Sequence, residues 1–206
     1  MIFILSPTQR KLGLALAVIL LLGGLFLAVS AGGGQVFATT ISPHRPLTTL
    51  NSPLITADGE TSLAALRGNI VVLYLGYTNC PDVCPTTLAG LKKAISKLSA
   101  PQAEQVKVVF ITVDPQRDTP DRLKGYAGAF NPNFIGANAV NKEMLDTLVR
   151  EVGAFYQFGE VDENGYYPVD HSTSTIVLDR EGQLMAYWQY GTDPSQIASD
   201  LKQFLR

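Results

Sequence analysis

The 206-residue chain has few of the side chains that handle metals and electrons: two cysteines, two histidines, three methionines and one tryptophan. Two cysteines are too few for a disulfide scaffold, so the fold must rest on a buried core. A hydrophobic content of 46% is enough for one ordinary domain plus an apolar extra. The methionines do not cluster, which argues against a thioether copper site. Charged residues make up only 17%, the net charge is -2 and there is no basic block, so no nucleic-acid partner is expected. No internal repeat or low-complexity tract occurs.

What is present is concentrated. Both cysteines lie in Gly76-Tyr77-Thr78-Asn79-Cys80-Pro81-Asp82-Val83-Cys84-Pro85. Before them, Asn69 through Leu75 is apolar and β-branched, as a central strand should be. After them, Leu88, Leu91, Ile95 and Leu98 recur at helical spacing, and Pro85 suits a first helical turn. The thiols therefore belong to a strand-to-helix turn. The helix dipole there favours the thiolate, while Asp82 between them opposes it, so the net shift is open. Residues four apart on a helix have Cβ atoms roughly 5–6 Å apart, and a disulfide needs about 3.8 Å. Bridging requires Cys80 to lie in the loop and lean inward. A metal holding two thiolates at roughly 2.3 Å each tolerates the wider gap. The spacing allows a metal clip and a reversible disulfide alike.

Two further segments stand out, Asp114-Pro115-Gln116-Arg117-Asp118-Thr119-Pro120 and Asp170-His171-Ser172. With the cysteine motif, and in this order, they resemble the signature segments of the Sco/SenC family, copper proteins that help assemble cytochrome c oxidase. The resemblance runs from about Ser52 to the C-terminus. It implies a copper ion held by Cys80, Cys84 and His171, with Cys80 and Cys84 also able to act as a redox-active dithiol. It also implies a copper-accepting oxidase subunit as partner. Asp114 and Asp170 are candidates to stand behind the ligands, Asp170 by orienting the histidine ring. The bland readings are a turn and helix cap for Asp114, Arg117 and Asp118, and a solvated loop carboxylate for Asp170. Glu160 to Tyr167 reads as a hairpin near the site, with Asn164-Gly165 as its turn; the resemblance implies that this region is a mobile loop carrying the histidine. Tyr77, Tyr156, Tyr166, Tyr167 and Trp188 read as core and edge residues.

The organisation along the chain follows. Residues 1–11 form a short cytoplasmic start. Residues 12–30, uncharged and preceded by Arg10 and Lys11, are just long enough for a transmembrane anchor with the remainder outside. A cleaved secretory signal is the competing reading. Both place the domain on the extracytoplasmic side, in the periplasm or its equivalent. Residues 31–47 read as a glycine- and proline-bearing linker, with His44 a solvated side chain in it. Residues 48–206 alternate strands and helices. Asp58-Gly59 marks a hairpin and 106–113 a second buried strand. Thr119-Pro120, Asn141 and Asp193-Pro194-Ser195-Gln196 start helices, and 175–188 is a further hairpin. This order implies an α/β fold with a mixed sheet and resembles thioredoxin. Thioredoxin-type reductases carry a cis-proline facing their cysteines. Ser172-Thr173-Ser174-Thr175 stands there instead, which favours copper over disulfide exchange. The expected function is a membrane-anchored copper chaperone and not an enzyme. The alternatives are a thiol-disulfide oxidoreductase that prepares the acceptor's cysteines, and a redox or copper sensor.

Overall fold

The computed structural model describes residues 35–206. In chain order the strands and helices are β1 (Thr39–Arg45), β2 (Leu54–Thr56), β3 (Gly59–Thr61), β4 (Ile70–Gly76), α1 (Val83–Ile95), α2 (Ala100–Glu104), β5 (Val106–Thr112), α3 (Pro120–Phe130), β6 (Ile135–Ala139), α4 (Lys142–Glu151), β7 (Tyr156–Phe158), β8 (Val169–His171), β9 (Thr175–Leu178), β10 (Leu184–Trp188) and α5 (Pro194–Phe204). Eight strands make one mixed sheet in the order β1-β10-β9-β4-β5-β6-β2-β3, and β7 and β8 form a separate two-stranded ribbon. The expected α/β class with a mixed central sheet flanked by helices is what the chain adopts.

The apolar run before the cysteines becomes β4, buried at all seven positions. It pairs parallel with β5 and antiparallel with β9, so both faces need cover. Leu88 and Leu91 of α1, Leu123 of α3, and Ile197 and Leu201 of α5 are buried. Burying each such side chain contributes roughly 1.5–3 kcal/mol, and β4 and β5 are the two middle strands of the sheet. Helix starts follow their caps. The Thr119 hydroxyl accepts from Arg122 N and the Asn141 side chain from Met144 N, and Asp193 and Gln196 close a capping box.

Three differences from the sequence expectations have clear causes. First, the segment expected as linker is part of the sheet. Strand β1 pairs antiparallel with β10, Thr39 opposite Tyr187 and Thr40 opposite Ala186. It shows almost no buried side chains because it is an edge strand, where Pro43 is tolerated. Its entry is held by Asp200 of α5, a fully buried carboxylate that accepts Phe37 N at 2.8 Å, Ala38 N at 2.7 Å and Trp188 Nε1 at 2.8 Å. Second, His44 is not a free linker side chain: its Nδ1 lies 2.6 Å from Asp179 Oδ2. Third, β6 contains Gly136, Ala137 and Asn138, poor strand formers. A Cβ at Gly136 would lie 2.5 Å from the Leu123 carbonyl oxygen, so glycine is what lets α3 pack on this strand. The proposed anchor at 12–30 lies outside the described residues. Among the described residues no helix is long and apolar enough to cross a membrane.

Candidate metal centre

The site forms where β4 ends. Tyr77 to Asp82 make the turn into α1, and Cys80 N donates to the Tyr77 carbonyl at 3.2 Å. This turns the Cys80 sulfur back over the helix start, where it accepts Cys84 N at 3.4 Å. It takes the place of a cap, since Asp82 makes no side-chain capping bond. Cys84, in the first turn of α1, is fully buried, and its sulfur receives the Tyr74 hydroxyl at 3.9 Å. Tyr74 and Gly76 share one face of β4. A Cβ at Gly76 would meet Cys84 Sγ at 2.7 Å and Phe110 Cε2 at 2.8 Å. Only glycine lets the sulfur sit there.

His171 arrives from the other direction, on β8. Val169 and His171 face inward and Asp170 outward, as strand alternation requires. The ring Nδ1 lies 2.9 Å from the Ser172 carbonyl and Nε2 lies 3.4 Å from Cys84 Sγ. A carbonyl only accepts, so Nδ1 carries the proton and the Nε2 lone pair faces the sulfur. The rings of Tyr77 and Tyr74 meet the imidazole edge-on at centroid distances of 5.8 and 6.2 Å.

The Sγ atoms of Cys80 and Cys84 and a ring nitrogen of His171 all lie within 4.8 Å of one another. Donors around a three-coordinate ion at bond lengths near 2.0–2.3 Å are about 3.8 Å apart, so a small inward movement would close the set. Both cysteines are free thiols. Burial pushes the Cys84 thiol far above its usual range, so an ion would supply the positive charge that the apolar surroundings withhold from the thiolate. Burial also pushes His171 below its usual value, which keeps the imidazole in the neutral form a ligand needs. Two thiolates and an imidazole suit a soft ion such as Cu(I).

The two expected supporting aspartates are placed differently from each other, Asp170 exposed and Asp114 buried. The Ser172 carbonyl, and not Asp170, is the hydrogen-bond partner of the His171 ring, because strand alternation turns the Asp170 carboxylate to solvent. Asp114 is fully buried but is not among the three converging groups. It accepts from Arg117 Nε and from the Tyr167 hydroxyl at 3.0 Å. Asp118 braces the cysteine loop, accepting Thr78 N at 2.9 Å and the Thr112 hydroxyl at 2.6 Å. Tyr77, read as a core residue, is a wall of the site, and so is Tyr74, which sequence reasoning passed over. The signal for Tyr74 was its position two residues before Gly76 on the face that meets the motif. The expected Asn164-Gly165 turn is present, with Gly165 at φ +79° and its N–H on the Asp162 carbonyl at 3.0 Å. It lies in a longer loop between β7 and β8.

Residues 51–206 match the family model described as SCO1/SenC. The chain belongs to the SCO1/SenC family. The sequence is 34% identical over 151 residues to a SCO2-like protein of Rickettsia felis, covering 72% of this chain and 73% of that one. The fold is similar to that of apo Sco1 from Thermus thermophilus, with a TM-score of 0.75 and 32% identity over 84% of this chain and 99% of that one. It is also similar to copper-bound ScoI of Bradyrhizobium japonicum, with a TM-score of 0.67 and 28% identity over 74% and 96% of the two chains. Within the SCO1/SenC match fall all three converging donors, the Asp114 to Pro120 loop and the His171 ribbon.

Proposed function

We propose that this chain is a copper carrier that holds the ion through Cys80, Cys84 and His171. It would deliver the ion to the binuclear copper centre of a cytochrome c oxidase subunit exposed on the same membrane face. The observation that carries the reading is the convergence of two sulfurs from one strand-to-helix turn and an imidazole from a ribbon some ninety residues later, the three donors lying within 4.8 Å. The copper bound in a structural relative supports the cargo, and the oxidase-assembly role that the Sco/SenC resemblance implies supports the acceptor. The uncharged run at 12–30 supports a tether that keeps the folded domain on the extracytoplasmic side.

The chemistry asked of the site is ligand exchange. Three donors leave one side of the ion open. An acceptor thiolate would form a bond to copper there as the bond to His171 Nε2 breaks, and the imidazole would depart neutral. Two further acceptor ligands would then replace Cys80 and Cys84, each freed thiolate taking up a proton. No electron moves, which is why the role proposed is carriage rather than catalysis. Disulfide exchange is the other use of two thiols. The burial of Cys84 opposes it, since a thiol held protonated is a poor nucleophile.

The test is copper titration of the full chain and its Cys80→Ser, Cys84→Ser and His171→Ala variants, with disulfide turnover measured in parallel. Each variant is expected to lose tight binding without unfolding. Full copper retention in His171→Ala would remove the histidine from the site. Brisk disulfide turnover by the native protein that persists in His171→Ala would favour the reductase.

A further inference from the structure

One half-buried cation beside the site, Arg117, is not a copper ligand. Arg117 Nε donates to the buried Asp114 carboxylate, and its Nη1 donates to the Tyr167 carbonyl at 2.9 Å. The guanidinium carbon lies 3.6 Å from the centre of the Tyr167 ring and 5.7 and 5.8 Å from those of Tyr77 and Tyr166. The Tyr167 hydroxyl closes the circuit on Asp114 at 3.0 Å. Arg117 Nη2 is buried with no hydrogen-bond partner, so aromatic faces hold that end of the cation.

The placement ties together the two segments that carry the ligands. Tyr77 precedes Cys80 by three residues and Tyr167 precedes His171 by four. The ribbon of β7 and β8 shares no ladder with the main sheet, so beyond the short chain connection from His171 to β9 at Thr175 it is side chains that hold it in place. Besides Arg117, the Tyr156 hydroxyl holds β7 to Asp146 of α4 at 2.6 Å. On the β8 side, which bears the histidine, Arg117 grips both the ring and the backbone of one residue. Lysine could not do so, having a point charge in place of a planar fork.

We propose that Arg117 is a positioning residue that latches the His171 ribbon to the cysteine loop and so sets how long the imidazole stays on the copper ion. The proposal rests on the Cys80, Cys84 and His171 ligand set. Its test is the rate at which copper(I)-loaded full-length protein yields the ion to a chromogenic copper(I) chelator. The variants are Arg117→Lys, Tyr167→Leu and His171→Ala, together with Arg117→Lys and Tyr167→Leu each placed in the His171→Ala background. Arg117→Lys and Tyr167→Leu are each expected to speed release about tenfold, the scale of one lost charge-assisted contact. Both should speed amide exchange at 169–171, and neither should add to His171→Ala, where the imidazole is already gone. Release by His171→Ala at the native rate would overturn the ligand set itself. A fast His171→Ala with native rates in both latch variants would overturn the latch and leave the ligand set standing. Further acceleration in the His171→Ala background would show general loosening and overturn the latch.

Discussion

The two histidines of this chain sit at the two ends of β9, and their surroundings differ in every respect that matters. His171 precedes the strand, is buried among Tyr74 and Tyr77, and turns Nε2 to a sulfur 3.4 Å away. His44 packs against Asp179, just past the strand's other end, with its side chain 45% exposed and its Nδ1 2.6 Å from that carboxylate. The second oxygen of Asp179 accepts Glu181 N at 3.0 Å and Gln183 N at 2.8 Å. At the His44 end, and at Asp200 nearby in the fold's closing segment, the polar groups are satisfied by the protein itself. At the His171 end they face one another in an apolar shell. The same side chain is a structural pin in one place and a candidate metal ligand in the other.

That contrast can be broken from either side. The largest effect is expected for Asp200→Ala, which strands the fully buried Trp188 indole N–H and two part-buried backbone donors, Phe37 N and Ala38 N. Denaturant unfolding should show a loss of about 3 kcal/mol, with copper affinity of the folded protein unchanged. Next is Gly76→Ala. Its Cβ must displace Cys84 Sγ or the Phe110 ring, so overpacking should cost about 1–3 kcal/mol. Here, unlike Asp200→Ala, copper titration should also show weakened binding.

His44→Ala should cost no more than about 1 kcal/mol, as half-exposed pairs do, and leave copper binding untouched. A copper effect there would erase the distinction between the two regions. The smallest signal is a pH slope. Burial holds the His171 imidazole below its usual value, so the unfolded chain takes up a proton where the folded chain does not. Metal-free stability is then full above about pH 6.5 and falls as pH drops from there toward the depressed folded value. Unfolding midpoints across that range should show a flatter acid slope in His171→Gln.

Much of this was legible because it is local. The β-branched run of β4, the proline one residue past Cys84, and the caps Thr119, Asn141 and Asp193 each act within a few residues, and each lies where its chemistry places it. What was not legible depends on partners remote in sequence. Strand β1 looks like a linker because its side chains bury almost nothing; it is a strand because β10 and Asp200 supply its hydrogen bonds. Strand β6 carries no strand pattern in its residues and takes its place where α3 packs on Gly136. Asp170 was a reasonable support for His171 until strand pairing fixed which way each of the two neighbours points.

The sequence by itself determined the central strand and the capped helices, the strand-to-helix turn that presents both thiols, and the family to which the motif belongs, since these follow from spacing and near-neighbour chemistry. Only the tertiary structure decided how near the His171 ring comes to the sulfurs, which of its atoms faces them, and that a half-buried guanidinium stands between the two ligand-bearing segments. Those are matters of distance between residues far apart along the chain, and the order of residues sets no such distance until the sheet has closed around them.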